Sequence, residues 1–99
     1  MNYQLVFSRR ALQDLQGLIS SVQPHALSWA RRTHSELLRD ARRLKTFPFL
    51  GPPSDMEDLR SFVSGPFRIY YQVDAPKKTI KIIRFWSTLQ GDPLTTDLY

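Results

Sequence analysis

The chain has no cysteine. Disulfides and cysteine-ligated zinc sites are therefore excluded, and a cytoplasmic setting is permitted. Its two histidines, His25 and His34, stand nine residues apart, which is not the i, i+4 spacing of a helical metal pair. Its four glycines do not gather into a phosphate-cradling loop. No apolar run reaches the roughly 20 residues of a membrane-spanning helix, and the N-terminus has no signal-peptide core. These absences leave no expectation of a metal, a nucleotide cofactor or a membrane partner. Negative charge is also in short supply: 9 Asp and Glu stand against 14 Lys and Arg, for a net charge of +5. That balance favours an anionic partner, whether nucleic acid, a nucleic-acid enzyme or an acidic protein segment.

What is present suits one domain spanning residues 1–99. The hydrophobic fraction is 41%, with six Phe, four Tyr and two Trp, enough for one compact core. A core this small gives moderate stability, so a bound partner would add appreciably to it. The densest stretch runs from Leu59 to Trp86. Three runs rich in Val, Ile, Phe and Tyr are separated by Ser64-Gly65-Pro66 and Ala75-Pro76-Lys77-Lys78. β-Branched and aromatic residues suit a pleated surface, and Gly and Pro suit the connections. The reading is three consecutive antiparallel strands at Leu59–Val63, Phe67–Asp74 and Thr79–Trp86. In the middle one, Phe67, Ile69, Tyr71 and Val73 alternate with Arg68, Tyr70, Gln72 and Asp74, so the first set faces a core and the second faces water or a ligand. The last run is apolar on both faces, which predicts a central strand. Arg84 is expected to emerge at its end or on an open face.

Tyr3, Leu5 and Phe7 share one face of a first short strand. Ser8 is a good N-cap for a helix beginning at Arg9. Leu12, Leu15, Ile19 and Val22 form its apolar stripe, and Pro24 stops or offsets it. A second helix is predicted over His25–Lys45 with the stripe Leu27, Ala30, His34, Leu37, Leu38, Ala41 and Leu44. His34 on that stripe reads as a packed histidine. The flanking Arg31, Arg32, Arg39, Arg42, Arg43 and Lys45 are ordinary for a surface helix. Phe47 to Pro53 forms a rigid connection to the sheet, and the residues after Trp86 form an irregular or short helical tail. The fold class is α+β, ordered β-α-α-β-β-β, with a helical hairpin covering one sheet. The neighbour of the first strand is left open.

Catalytic constellations are scarce. Arg60, Arg68, Arg84, Tyr70 and Trp86 could cluster on the strands, where guanidinium groups bind phosphate and aromatic rings stack on bases. Taken singly, such residues are ordinary solvated strand faces and rim aromatics.

The order of these pieces resembles the RelE/ParE toxin superfamily of bacterial type II toxin–antitoxin systems. The residues that carry the resemblance are Tyr3 to Ser8, Ala11, Asp14-Leu15, Pro48, Gly51, Leu59-Arg60, Phe67 to Asp74, Ile80 to Trp86 and Asp92-Pro93. It implies a helical hairpin on a curved, antiparallel-rich sheet, and a toxin that either poisons DNA gyrase (ParE-like) or cleaves messenger RNA on the ribosome (RelE-like). The RelE ribonuclease set includes two lysines before the "LR" strand, which fall here near Met56 and Asp58. Its later Arg and Tyr fall near Thr88 and Leu94. Arg68 and Arg60 match, and most of the set does not, so the resemblance favours the gyrase-binding reading. The ribonuclease alternative would use Arg60, Arg68, Arg84 and Tyr70. A third reading is a toxin fold kept only as a binding module. The resemblance further implies an adjacently encoded acidic antitoxin, contacted through Arg60, Arg68, Arg84, Trp86, Arg31 and Arg39, with operator DNA met only through that antitoxin.

Overall fold

A computed structural model describes residues 2–99. Strand β1 (Gln4–Phe7) leads into helix α1 (Arg9–Ser20), a 3-10 turn at Pro24–Ala26 and helix α2 (Leu27–Arg43). Strands β2 (Arg60–Ser64), β3 (Phe67–Asp74) and β4 (Thr79–Ser87) follow, then a 3-10 turn at Thr88–Gln90 and a short helix α3 (Thr95–Leu98). The sheet order is β1-β4-β3-β2, with β1 parallel to β4 and the other pairs antiparallel. The strand that is apolar on both faces is thus central, as its composition predicts. The neighbour that the sequence leaves open for β1 is β4.

Ser8 caps α1 as expected. Its hydroxyl accepts the Ala11 N–H at 3.0 Å and donates to the Ile83 carbonyl at 2.7 Å, which ties the helix start to β4. The helices present slightly different faces from those expected. In α1 the buried residues are Ala11 and Leu15, with Leu18 packed beside them, and Leu12 is exposed. Leucine spacing alone does not separate two stripes one residue apart. The small Ala11 selects the stripe because it lets the helix approach the sheet closely. In α2 the buried stripe is Ala30, Thr33, Leu37 and Ala41, continued by Leu44. His34 lies at its margin, and Thr33 takes the interior position that His34 was expected to hold. Pro24 opens the 3-10 turn between the helices, so α2 starts at Leu27 rather than His25.

The main core lies between these helices and one sheet face, where Ile69, Tyr71, Ile80, Ile82 and Phe85 meet Ala11, Leu15, Leu37, Ala41 and Leu44. A β-bulge organises β4. Tyr70 pairs with Arg84 and Tyr71 with Ile82, so Ile83 is an extra residue. The insertion reverses the alternation. Ile80 and Ile82 before it, and Phe85 after it, all join the helix-side core, while Ile83 turns to the opposite face with Tyr70, Leu59 and Leu98.

Candidate functional site

The opposite sheet face is where the predicted site residues divide. Arg68 and Tyr70 alternate to this face of β3, and Ser61 of β2 stands directly across from Tyr70. An Arg68 Nη1–H donates to Ser61 Oγ at 3.2 Å. Trp86 sits opposite Arg68 on β4 and donates its indole N–H to the Gly91 carbonyl at 2.7 Å. A cleft of about 280 Å³ opens here, with Asp55 and Met56 on one wall and Asp92 and Pro93 on another. Arg68, Tyr70 and Trp86 therefore come together as the sequence suggests.

Tyr70 was expected to face water or a ligand. It is only 6% exposed, because Leu98 of α3 covers it together with Leu59 and Ile83. Burial raises the Tyr70 phenol above its usual value; Arg68 pulls it down, and Asp92 and Asp55 push it up. The phenol is thus a protonated donor near neutral pH, not a base. The cleft holds one guanidinium and two carboxylates. A phosphate entering it would meet one attractive and two repulsive charges, a poor arrangement for stabilising negative charge as it develops. Met56, one of the two positions where the ribonuclease resemblance calls for lysine, lines this cleft with a thioether.

Of the other predicted residues, Arg84 stands beside Tyr70 on this face, its guanidinium 5.2 Å from the centre of the Trp86 ring, while Arg60, Arg31 and Arg39 lie elsewhere. Arg60 stands across from Tyr71 and so on the helix-side face of β2. Its guanidinium donates to the Gly51 carbonyl at 2.9 Å and lies 4.8 Å from the centre of the Phe49 ring. The Tyr71 hydroxyl accepts the Gly51 N–H at 2.8 Å and donates to the Gly51 carbonyl at 3.2 Å. Burial is the main cause that raises the Tyr71 phenol's pKa. These bonds clamp the α2–β2 connection onto the sheet. A side chain at Gly51 would come within 2.6 Å of the Ser61 carbonyl oxygen, so the close approach needs glycine.

Arg84 does not emerge on an open face. It is 9% exposed and paired with Asp14 of α1 at 2.7 and 2.8 Å, with a further bond to the Asp97 carbonyl. The Asp14 carboxylate also accepts the Phe85 N–H at 3.0 Å. β1 pairs with β4 only as far as Ile82, and beyond that point Asp14 supplies the acceptor that a neighbouring strand would have offered. The sequence alone gives Asp14 no role. An acid within an amphipathic helix and an arginine within a buried strand were the two halves of one signal. Arg31 and Arg39 lie on the outer surface of α2, away from the sheet. Among the described residues no group of three or more His, Asp or Glu is placed to hold a metal ion.

The family profile for the ParE toxin of the type II toxin–antitoxin system parDE matches residues 5–90. No curated protein matches the sequence. Among solved structures, the chromosomal ParDE system of P. aeruginosa superposes with a TM-score of 0.74 at 21% identity, covering 86% of this chain and 95% of that one. The RelBE2 toxin–antitoxin complex of Mycobacterium tuberculosis gives 0.63 at 23% identity, with 88% and 92% covered. An E. coli RelE mutant in the free state gives 0.64 at 19% identity, with 92% and 88% covered. At these identities the structural likeness speaks for the fold.

Proposed function

Because the chain belongs to the ParE toxin family of type II toxin–antitoxin systems, we propose that it inhibits bacterial growth by binding and poisoning DNA gyrase in the cytoplasm. It acts without cleaving RNA itself, and a cognate acidic antitoxin silences it. The observation that carries the target assignment is the charge of the cleft. Arg68 is its single cation, Asp55 and Asp92 flank it, and the Tyr70 phenol is held protonated. Arg84 stands beside Tyr70 but is committed to Asp14, and Arg60 lies on the other face, so neither lines the cleft with Arg68. The ribosome-dependent ribonuclease remains a second reading because Arg68 and Tyr70 do share a cleft.

The antitoxin partner is supported by the family and by the titles of the similar structures, which describe a ParDE system and a RelBE2 complex. Apolar anchors for it stand on the α2–β2 connection, where Phe47 and Phe49 are more than half exposed and Leu50 is also open. Val63 is exposed on β2, the strand at the end of the sheet order. Such a surface suits an amphipathic segment that orders on binding, with Arg60 beside Phe49 to meet its carboxylates.

The test is tightly controlled expression without antitoxin, with chromosomal double-strand breaks and transcript cleavage followed in parallel. Breaks that precede any transcript cleavage, and that are suppressed in cells carrying a toxin-resistant gyrase, are expected. Prompt ribosome-dependent transcript cleavage that is lost in Arg68→Ala would establish the second reading instead.

A further inference from the structure

We propose that the outer face of α2 is a binding surface for the phosphate backbone of double-stranded nucleic acid, separate from the sheet cleft. This helix carries Arg31, Arg32, Arg39, Arg42 and Arg43, half of the chain's ten arginines, and no lysine. All five are exposed. The stripe of Ala30, Thr33, Leu37 and Ala41 is buried, with Leu37 and Ala41 in the core under the sheet. At 3.6 residues per turn the arginines fall on the side away from it. Arg31 and Arg42 return to one line after three turns, as do Arg32 and Arg43. The array spans about 18 Å of helix, a length over which duplex DNA presents on the order of ten phosphate charges.

Three observations choose the occupant. The first is the absence of apolar anchors at its centre. Ser28 and Ser35 are the residues interleaved there, and the half-exposed Trp29 lies only on the flank, so a protein partner would find little at the centre to desolvate. Phosphate contacts need no such anchor. The second is the residue type. Guanidinium forks match phosphate bidentately, whereas solubility alone is met equally well by lysine, which the chain uses at positions 45, 77, 78 and 81. The third is availability. Arg39 and Arg43 make only loose contacts of 3.6 Å with Asp40, and among the described residues no carboxylate pairs with Arg31, Arg32 or Arg42. A membrane surface is a poorer fit, because the apolar side of α2 is already packed against the sheet and cannot enter lipid. The proposal does not depend on which cellular target the toxin meets.

The full chain, freed from antitoxin, is titrated against a fluorescein-labelled 25-bp DNA duplex of arbitrary sequence between 50 and 200 mM salt. If five arginines engage phosphates, affinity falls roughly 500-fold over that range; with Arg31→Ser, Arg39→Ser and Arg42→Ser combined, it falls only roughly 12-fold. The substituted positions are exposed, so the variant should keep the wild-type circular dichroism spectrum and melting temperature. A matched variant with Lys77→Ser and Lys81→Ser tests net charge alone and should shift the salt slope much less per charge removed. An equal shift per charge from the lysine variant would overturn the proposal. So would an unchanged slope in the arginine variant, or tighter and equally arginine-dependent binding to a poly-glutamate peptide, which would make the face an acidic-protein surface.

Discussion

The two faces of the sheet are built to different standards. The helix-side face is continuous, with Ile69, Tyr71, Ile80, Ile82 and Phe85 interlocked with two helices. The other face holds three buried residues, Leu59, Tyr70 and Ile83, under Leu98 of a helix of one turn, and beside them Arg68, Ser61, Asp55 and Asp92 line an open cleft. Interlocked apolar packing stabilises a domain but leaves nothing for a partner to recognise. A thinly covered face costs stability and keeps polar groups accessible. The same β3 strand serves both faces, because its side chains alternate.

The Asp14–Arg84 pair is the seam between them, and breaking it should have the largest effect. Both side chains are mostly buried, Arg84 at 11% and Asp14 at 15% exposure. Removing one partner strands the other charge and also takes the acceptor from Phe85 N–H. Asp14→Ala is therefore expected to cost about 3 kcal/mol or more in urea unfolding. A combined Asp14→Leu and Arg84→Met variant should recover much of that loss, because the stranded charge is gone. A single variant that unfolds at the wild-type midpoint would mean that the seam contributes nothing.

Truncation on each side then compares the faces directly. Leu37 is packed between α2 and the sheet, and Leu37→Ala should cost about 3 kcal/mol. Leu98 is equally buried, but its support is a four-residue helix held largely by side-chain bonds. Arg10 reaches the Tyr99 carbonyl at 2.9 Å and the Asp97 carbonyl at 3.2 Å. A short segment of this kind can shift or fray to close the gap left by Leu98→Ala, so about half the loss is expected. Equal losses in thermal unfolding would show that both faces are equally rigid.

The same division explains what was legible in the sequence. Elements with strong periodicity were readable: the three strands after Leu59, the cap at Ser8, the helical pair and the alternation of β3. The motif order from Tyr3 to Trp86 named the superfamily that the profile match bears out. What escaped was whatever depended on one residue more or less. The bulge at Ile83 reversed the facing of β4, putting Phe85 in the core and Arg84 beside Tyr70, and no local pattern marks such an insertion. The choice of Ala11 over Leu12 rested on the distance between helix and sheet. Asp55 and Asp92 come from loops far apart in sequence, so their meeting around Tyr70 is a tertiary fact.

The smallest effect expected concerns Arg68 and sharpens the comparison most. Arg68 makes one hydrogen bond, to Ser61, and lines the cleft. Loss of that bond in Arg68→Ala should change stability at neutral pH by about 1 kcal/mol at most, well below any truncation on the helix side. Its electrostatic effect should be visible where stability is not. Burial already holds the Tyr70 phenol above the usual tyrosine value, and Arg68 partly offsets this by favouring the phenolate. Without Arg68, and with Asp92 and Asp55 still present, Tyr70 should titrate at still higher pH. A phenol whose folded pKa is raised contributes stability that is complete below the unfolded value, near 10. That contribution is lost as pH rises through the folded value, because the unfolded chain releases its proton first. Arg68→Ala should therefore stay within about 1 kcal/mol of wild type at pH 7 and lose stability more steeply above pH 10. Ultraviolet titration of tyrosine absorbance, with Tyr70→Phe to assign the component, measures the shift. A Tyr70 component that moves to lower pH would show that Arg68 does not act on the phenol across the cleft.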